Sequence, residues 1–237
     1  MDRDAKLEFI RKLFYSKEEK EGWFSEVEKL CNEESTILEI GSGSGIGKQN
    51  ALYPKARQIV GIDLDERVLD NPNLDVARNI SAYEVDKALG DYQFDLIYSH
   101  MVAEHIDDDR RFLTSQLALL SPGGKMLHST VSKYYWTSLI NDFVPETFKY
   151  WLIEKLGSGR TEQDVFPTHY LLNSERQIRD LSRELGVDYR IIRHDEAPGY
   201  LRRSFILMIL YTLIHKPLQF LFPALRAKFV FVIEKRP

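Results

Sequence analysis

The chain has 237 residues, of which 43% are hydrophobic and 29% are charged, a composition ordinary for a globular protein and a length suited to a single domain. Its formal net charge of -4 argues against a general nucleic-acid partner. One cysteine, Cys31, excludes a disulfide framework within the chain and a cysteine-based zinc site. The first residues, MDRDAKLEFIRK, are charged and lack the apolar core of a signal peptide, so we expect a cytoplasmic protein.

Helices are predicted at the start of the chain, over residues 4–31. Apolar residues recur there at helical spacing, and Ser16 with Glu19 resembles a capping box that begins a second helix ending at Leu30. We expect these N-terminal helices, within residues 1–34, to precede the first strand.

Short runs rich in β-forming residues follow, separated by helical stretches such as residues 108–120. The predicted strands are STILEI (35–40), QIVGID (58–63), FDLIYS (94–99), KMLHSTV (125–131), VDYRIIRHDE (187–196) and AKFVFVIEKR (227–236). The fourth follows a predicted turn, SPGG, and we expect Ser174 and Gly186 to cap and end a helix before the fifth. Near-continuous apolar strands that alternate with helices predict an α/β fold with a parallel sheet covered on both faces.

The first of these strands leads into a turn of unusually small residues, ILEIGSGSGIG (37–47). Glycine allows positive φ and lets a ligand approach the backbone, and open α/β sheets bind ligands beyond the carboxyl ends of their strands. A dinucleotide fingerprint would need glycine in place of Ile46 or Lys48, and a phosphate-binding loop would need Ser or Thr in place of Gln49. The turn therefore predicts a ligand site of another kind.

This turn resembles the first motif of the class I S-adenosylmethionine-dependent methyltransferases. The acidic residue and the glycines that stand in the places expected of that family are Glu39, Gly41, Gly43 and Gly45. The similarity extends over roughly residues 35–131. It implies one domain over residues 1–237, a Rossmann-like sheet of seven mostly parallel strands with an antiparallel last strand and helices on both faces. It also implies S-adenosyl-L-methionine as the cofactor, with its methionine part on the glycine turn.

Other residues of this resemblance lie at the ends of the following strands. Asp63 resembles the acidic residue that holds both ribose hydroxyls in the family, and a carboxylate can accept two hydrogen bonds from a diol. Asn79 and Ile80 stand where the family has an Asp-Ala pair beside the adenine, and FDLIYSHMVAEHI resembles its fourth-strand motif. The cofactor-binding residues implied are Glu39, Gly41, Ser42, Gly43, Gly45, Asp63, Leu64, Asn79, Ile80, Ser99 and His100. We expect Asp95 to begin its strand rather than to bind a ligand.

Methyl transfer to a hydroxyl group requires a base, whereas an acceptor without a proton to lose requires none. Four histidines lie at the ends of the later strands or in the loop beyond them, and we treat them as catalytic candidates: His100, His105, His128 and His169. Each of three has a structural alternative, as a helix cap for His105, a core residue for His128 and a loop contact for His169. No group of His, Asp and Glu has clear metal-ligand spacing, and HIDDD is typical of a solvated helix start.

Two segments that interrupt the α/β pattern, residues 132–170 and 197–225, are rich in aromatic and aliphatic residues. We expect them to form a lid over the active site or to bind a hydrophobic acceptor. The predicted function is methylation of a small molecule, hydrophobic or a glycan, at the oxygen of a sugar, lipid or phenolic hydroxyl. The alternative is a non-catalytic methyltransferase-like fold that binds cofactor or a protein partner. The sequence leaves the oligomeric state open.

The most apolar segment, FILMILYTLI (205–214), is too short to span a bilayer as a helix. Basic residues that flank the longer apolar segment 204–225 are Arg202, Arg203, Lys216, Arg226 and Lys228. An apolar helix flanked by cations suits an anionic bilayer surface. Residues 200–225 therefore predict either peripheral contact with the inner face of a membrane or packing as part of the lid.

Overall fold

The computed structural model of this protein describes residues 3–15, 22–45, 53–136, 138–139, 167–195, 201 and 204–235. Within these residues the strands are β1 (Thr36–Ile40), β2 (Gln58–Asp63), β3 (Val76–Asn79), β4 (Phe94–His100), β5 (Leu120–Val131), β6 (Asp188–His194) and β7 (Lys228–Glu234). The α-helices are α1 (Arg3–Phe14), α2 (Phe24–Leu30), α3 (Val85–Ala88), α4 (Asp109–Leu117), α5 (Glu175–Leu185) and α6 (Phe205–Leu221). Short 3-10 helices span Glu66–Asp70, Ala103–His105 and Pro223–Leu225.

The seven strands form one sheet in the order β3-β2-β1-β4-β5-β7-β6. β1 pairs in parallel with both β2 and β4, and the β2–β3 and β4–β5 pairs are parallel as well. The last strand is antiparallel. The strand order reverses between β1 and β4, and a switch of this kind places a ligand crevice at the carboxyl ends of the strands. The α/β, Rossmann-like architecture predicted from the sequence is confirmed.

The central strands are buried because they are nearly continuous apolar runs covered from both faces. One core cluster packs α2 against the sheet, and its buried members are Phe24, Val27, Ile37, Leu96, Tyr98, Leu127, Val230 and Val232. β3 lies at the edge of the sheet and was not among the predicted strands, since its four residues, VARN, are only half-buried or exposed.

The structure corrects the prediction at the start of β5. The residues SPGG, expected to form a turn, belong to the strand, which begins at Leu120. The register between β4 and β5 shifts there, since Phe94 pairs with Leu120 whereas Leu96 pairs with Lys125, and Gly123 has a φ of 78°. The turn-forming residues thus produce a bulge within a longer strand.

The helices that flank the later strands have identifiable caps. The hydroxyl of Ser174 accepts a hydrogen bond from the backbone N–H of Gln177 at the start of α5, and Gly186 ends that helix with a φ of 69°, as predicted. α4 is shorter than predicted and begins after Asp108, whose side chain accepts a backbone hydrogen bond from its first turn. The predicted capping box upstream, in residues 16–19, lies outside the described residues.

The chain divides into two compact bodies. The α/β body comprises the described residues within 23–130, 169–192 and 230–237, and the helical body those within 1–22, 131–168 and 193–229. In the helical body, α1 and α6 contribute to one core through Ile10, Tyr15 and Met208. Both predicted lid segments fall largely in this body, and residues 140–166 of the first lie outside the described residues. Their role as a lid stays a prediction. None of the described helices has both the length and the hydropathy to cross a bilayer.

Candidate functional site

The glycine turn after β1 has the left-handed backbone that its sequence predicts. The φ angles are 79° at Gly41, 52° at Gly43 and 67° at Gly45. A Cβ atom at Gly41 would overlap Val102, and one at Gly45 would overlap Asn71, whereas a Cβ at Gly43 would meet no described atom within 4 Å. The outer glycines therefore serve the packing of the turn, whereas at the middle glycine none of the described residues fills the space against the peptide chain.

Asp63 joins the end of β2 to this turn. Its Oδ2 accepts a hydrogen bond of 2.8 Å from the backbone N–H of Gly43, and its Oδ1 accepts one of 2.8 Å from the backbone N–H of Asp65. The side chain is half-buried. Since a carboxylate has about four acceptor positions, the bonds given by the described residues leave two for hydroxyl donors. Asp63 and Gly43 thus fit a ribose diol, the group that the sequence resemblance predicted Asp63 to bind.

Two asparagines that the sequence analysis did not single out brace the glycine turn. The buried Asn71 donates through Nδ2 to the carbonyl groups of Ser42 and Gly43, each at 3.2 Å, and Asn73 donates to the carbonyl of Gly45 at 3.2 Å. The sequence signal for both is the stretch Asn-Pro-Asn at the end of a 3-10 helix, where asparagine side chains commonly bond the backbone.

Glu39 places a carboxyl group beneath the turn in an environment that disfavours charge. Burial raises the pKa of Glu39 to about 7, while the hydroxyls of Tyr98 and Ser42 act in the opposite direction. Its Oε2 atom is buried and has no hydrogen-bond partner among the described residues. A ligand that brings a cationic donor, such as the ammonium of a methionine moiety, would supply that partner.

The residues predicted to lie beside the adenine gather at the ends of β2 and β3, where Asp63 pairs with Asn79. Asn79 donates through Nδ2 to the carbonyl of Asp63 at 3.0 Å. Leu64 is 72% exposed, and Ile80 is half-buried. An exposed leucine at this edge could cover one face of a planar base, and the adenine contacts of these residues stay predictions.

Two predicted site residues are fully buried in the sheet. Ser99 and His128 have no exposed surface, and the Ser99 hydroxyl lies 2.8 Å from the Nδ1 atom of His128. The histidine ring packs between Phe112 and Phe231, at centroid distances of 5.1 and 5.0 Å. Burial lowers the pKa of His128 to about 3, so the ring is neutral. Because neither side chain can reach a ligand from this position, we do not carry them into the proposed mechanism.

His100 ends β4 with its ring held by a residue that the sequence analysis did not select. The ring stacks on Trp23 with centroids 4.2 Å apart and planes inclined by 12°. The following residue, Met101, has a φ of 58°, which non-glycine residues rarely adopt, and its N–H donates to the carbonyl of Ser129 at 2.8 Å. Such strain is characteristic of functional sites, and the stacking fixes His100 at the carboxyl edge of the sheet.

His105 and His169 are brought together through the backbone. The carbonyl group of Glu104, next to His105, accepts hydrogen bonds from the backbone N–H groups of His169 at 2.8 Å and Tyr170 at 3.3 Å. The Tyr83 hydroxyl lowers the pKa of Asp107, and the charge of the nearby His169 acts in the same direction. His105 is half-buried and His169 is exposed, so both are accessible.

A buried polar network supports the backbone contact between Glu104 and His169. The Thr130 hydroxyl donates to the Oε2 atom of Glu104 at 2.8 Å, and Asn173 donates through Nδ2 to the Thr130 oxygen at 2.8 Å. The three side chains are at most 3% exposed. The network ties the 3-10 helix after β4 to β5 and to the chain before α5, and thereby positions His105 and His169. Within the described parts of the chain, no group of His, Cys, Asp and Glu is arranged to hold a metal ion.

Asp95, which the sequence analysis excluded from the site, lies at the opposite edge of the sheet. Its Oδ2 accepts a hydrogen bond of 2.8 Å from the backbone N–H of Thr36, where β1 begins. The side chain thus has a structural role in joining β4 to β1. Like Asp63, Asp95 accepts a hydrogen bond from a backbone N–H group, but it lies away from the glycine turn.

Comparison with known proteins gives matches over the same part of the chain. A family model described as a methyltransferase domain matches residues 15–190. The chain is 27% identical over 107 residues to a ubiquinone biosynthesis O-methyltransferase of Coxiella burnetii, covering 42% of this chain and 44% of that protein. It is 32% identical over 105 residues to a malonyl-[acyl-carrier protein] O-methyltransferase of Ilyobacter polytropus, covering 40% and 37%. The aligned parts are thus less than half the length of these relatives.

The fold has counterparts among solved structures. One is an S-adenosylmethionine-dependent methyltransferase from Archaeoglobus fulgidus, with a TM-score of 0.53 and 16% identity over 99% of this chain and 95% of that one. At this identity the likeness concerns the fold alone.

Proposed function

We propose that this chain, which belongs to the methyltransferase domain family, methylates a hydroxyl group of a small molecule. The model of that family spans well over half of the chain. The family resemblance noted in the sequence is confirmed. S-adenosyl-L-methionine is the cofactor of this family.

The observation that carries the proposal is the joint geometry of Asp63 and Gly43. The carboxylate is fixed by two backbone N–H groups at 2.8 Å, beside a glycine above which no described atom stands within 4 Å. Asp63 would hold the ribose hydroxyls, Gly43 would let the cofactor lie against the peptide, and Glu39 would face its ammonium group. When bound, the cofactor supplies an electrophilic methyl group on a sulfonium centre.

The residues of the chain have two further tasks in this reaction. They must align the acceptor oxygen with the methyl group and exclude water. Alignment can lower the activation free energy by about 7–11 kcal/mol in favourable cases. A base must also take the hydroxyl proton, and an imidazole nitrogen of His105, His169 or His100 is suited to that role. Oxygen is the proposed acceptor atom because two of the curated relatives, those described above, are named O-methyltransferases.

An acceptor with an apolar part is proposed because residues 132–170 and 197–225, the two segments that interrupt the α/β pattern, are rich in aromatic and aliphatic residues. A phenolic or lipid hydroxyl suits such segments better than a bare sugar does, and it agrees with the membrane contact predicted for residues 200–225.

Calorimetric titration with S-adenosyl-L-methionine and its demethylated product tests the cofactor site. We expect both to bind, and Asp63→Asn to weaken binding by roughly 1–3 kcal/mol, since one carboxylate oxygen becomes a donor that faces the Gly43 N–H. Asp95→Asn is the matched control and should retain full affinity. The cofactor assignment fails when the wild type binds neither compound at about millimolar concentration, or when both variants lose affinity equally.

Transfer of a labelled methyl group to a cell extract then tests the reaction. We expect label in the small-molecule fraction, extractable into organic solvent when the acceptor has an apolar part. Label only in protein or RNA would overturn the small-molecule acceptor. Binding without any transfer, across extracts prepared from several growth conditions, would support the non-catalytic alternative.

A further inference from the structure

α6 exposes far more apolar side chain than is expected of a helix on the surface of a soluble protein. Such a helix turns its apolar stripe toward the core and its polar residues toward water. Large apolar side chains of α6 and the residue after it are 40–84% exposed, and they are Ile206, Leu207, Leu210, Leu213, Ile214, Leu218, Phe220, Leu221 and Phe222. Most recur three or four residues apart, so they form one continuous stripe, which we call the outer face.

The inward side of α6 combines the buried Met208, which belongs to the core shared with α1, with polar anchors. Thr212 and Gln219 are at most 2% exposed, and Gln219 donates through Nε2 to the Oδ1 atom of the buried Asp195 at 2.6 Å. The Nζ atom of Lys216 lies 3.0 Å from the Oδ2 atom of Asp195 and 3.8 Å from the ring centroid of Tyr15. These bonds fix the rotation of the helix, because turning the outer face inward would leave the Asp195 carboxylate buried without its partners.

The charge of the segment indicates what the outer face meets. Residues 197–233 contain five Lys and Arg residues and no Asp or Glu, although the whole chain has a net charge of -4. One of the five, Lys216, pairs with Asp195, so the other four supply the positive charge of the segment. The acidic excess is therefore confined to the rest of the chain. A basic segment with a broad apolar stripe is complementary to an anionic lipid surface, which offers negative headgroups above an apolar interior.

We propose that α6 is an interfacial helix that lies in the plane of an anionic bilayer with its outer face among the acyl chains. The helix is held in place by Asp195 from the protein side, so the apolar stripe is presented before the membrane is met and little ordering is required on binding. The proposal is independent of methyl transfer, since it concerns only the helical body.

Co-sedimentation of the cofactor-free protein with vesicles tests this proposal. The vesicles are phosphatidylcholine alone or phosphatidylcholine mixed with phosphatidylglycerol. We expect binding to the mixed vesicles, weaker binding to the neutral ones, and partial release by high salt, because screening removes the electrostatic part and leaves the apolar part.

Substitutions on the outer face provide the decisive comparison. Ile206→Asp and Phe220→Asp, at side chains 70% and 84% exposed, should each lower the bound fraction about tenfold or more without changing the unfolding transition. Leu69→Asp, at a leucine 52% exposed in the α/β body, is the control and should bind like the wild type.

Two results would overturn the proposal. One is absence of wild-type binding to the mixed vesicles. The other is a wild-type dimer in sedimentation velocity that Phe220→Asp dissociates while vesicle binding persists in that variant. The second result would assign the outer face to a second copy of the chain.

Discussion

The carboxyl group of Glu39 makes the stability of the protein depend on pH in a measurable direction. Its pKa is about 7 in the folded state, against an ordinary value of 4.5. Between these pH values the folded chain keeps a proton that the unfolded chain releases, so the free energy of unfolding falls as pH rises through this window. The difference between the two pKa values corresponds to about 3 kcal/mol.

Replacing Glu39 by Gln removes this titration, because the amide resembles the protonated carboxyl group in shape and charge. Relative to the wild type, the free energy of unfolding of Glu39→Gln should increase by about 3 kcal/mol from about pH 4 to about pH 8, because only the wild type loses stability over this range. Urea unfolding followed by circular dichroism measures it. Glu34→Gln, at an exposed residue before β1, should keep the pH dependence of the wild type. Parallel pH profiles for the wild type and Glu39→Gln would refute the reasoning.

The same carboxyl group should couple cofactor binding to pH. A cationic ammonium beside Glu39 favours the carboxylate, so binding releases a proton below about pH 7 and the affinity should rise from about pH 6 to about pH 8. Glu39→Gln should lose this rise. Calorimetry in buffers of different ionisation enthalpy measures how many protons are released on binding. If the affinity of the wild type does not change with pH, Glu39 does not contact the cofactor.

Three further predictions concern the turn and its surroundings. Gly43→Ala and Gly123→Ala share a positive φ and open space, so both should cost similar stability, but only Gly43→Ala should weaken cofactor binding in calorimetry; equal affinities would contradict the placement of the cofactor. Asn71→Ala should destabilise the protein by about 1–3 kcal/mol in urea unfolding, since two carbonyl groups lose their donor, and an unchanged midpoint would contradict that bracing role. Trp23→Leu should shift the pH profile of methyl transfer and Trp23→Phe should restore it, because a ring is needed to stack on His100; a normal profile in Trp23→Leu would exclude this positioning role.

The sequence was informative wherever local chemistry decides the outcome. A run of apolar residues followed by glycines predicted β1 and its turn, and all three glycines that the structure describes there have positive φ. The approach of Asp63 to Gly43, 20 residues apart, followed from the pairing of two adjacent parallel strands. The caps of α5 were predicted for the same reason, since a serine and a glycine act on backbone groups within one helical turn.

Only the tertiary structure decided which of the candidate side chains are buried within the sheet and which lie at its carboxyl edge. His128 and His100 occupy neighbouring strands with similar sequence surroundings, yet one is enclosed by two phenylalanines and the other is stacked on Trp23 at the edge of the sheet. The apolar stretch of α6 could equally have been buried, and the anchoring of Lys216 by Asp195 turns it outward instead. Periodicity and turn chemistry act over a few residues and can be predicted from the chain. Burial depends on which distant segments meet, and that is settled only when the whole chain packs.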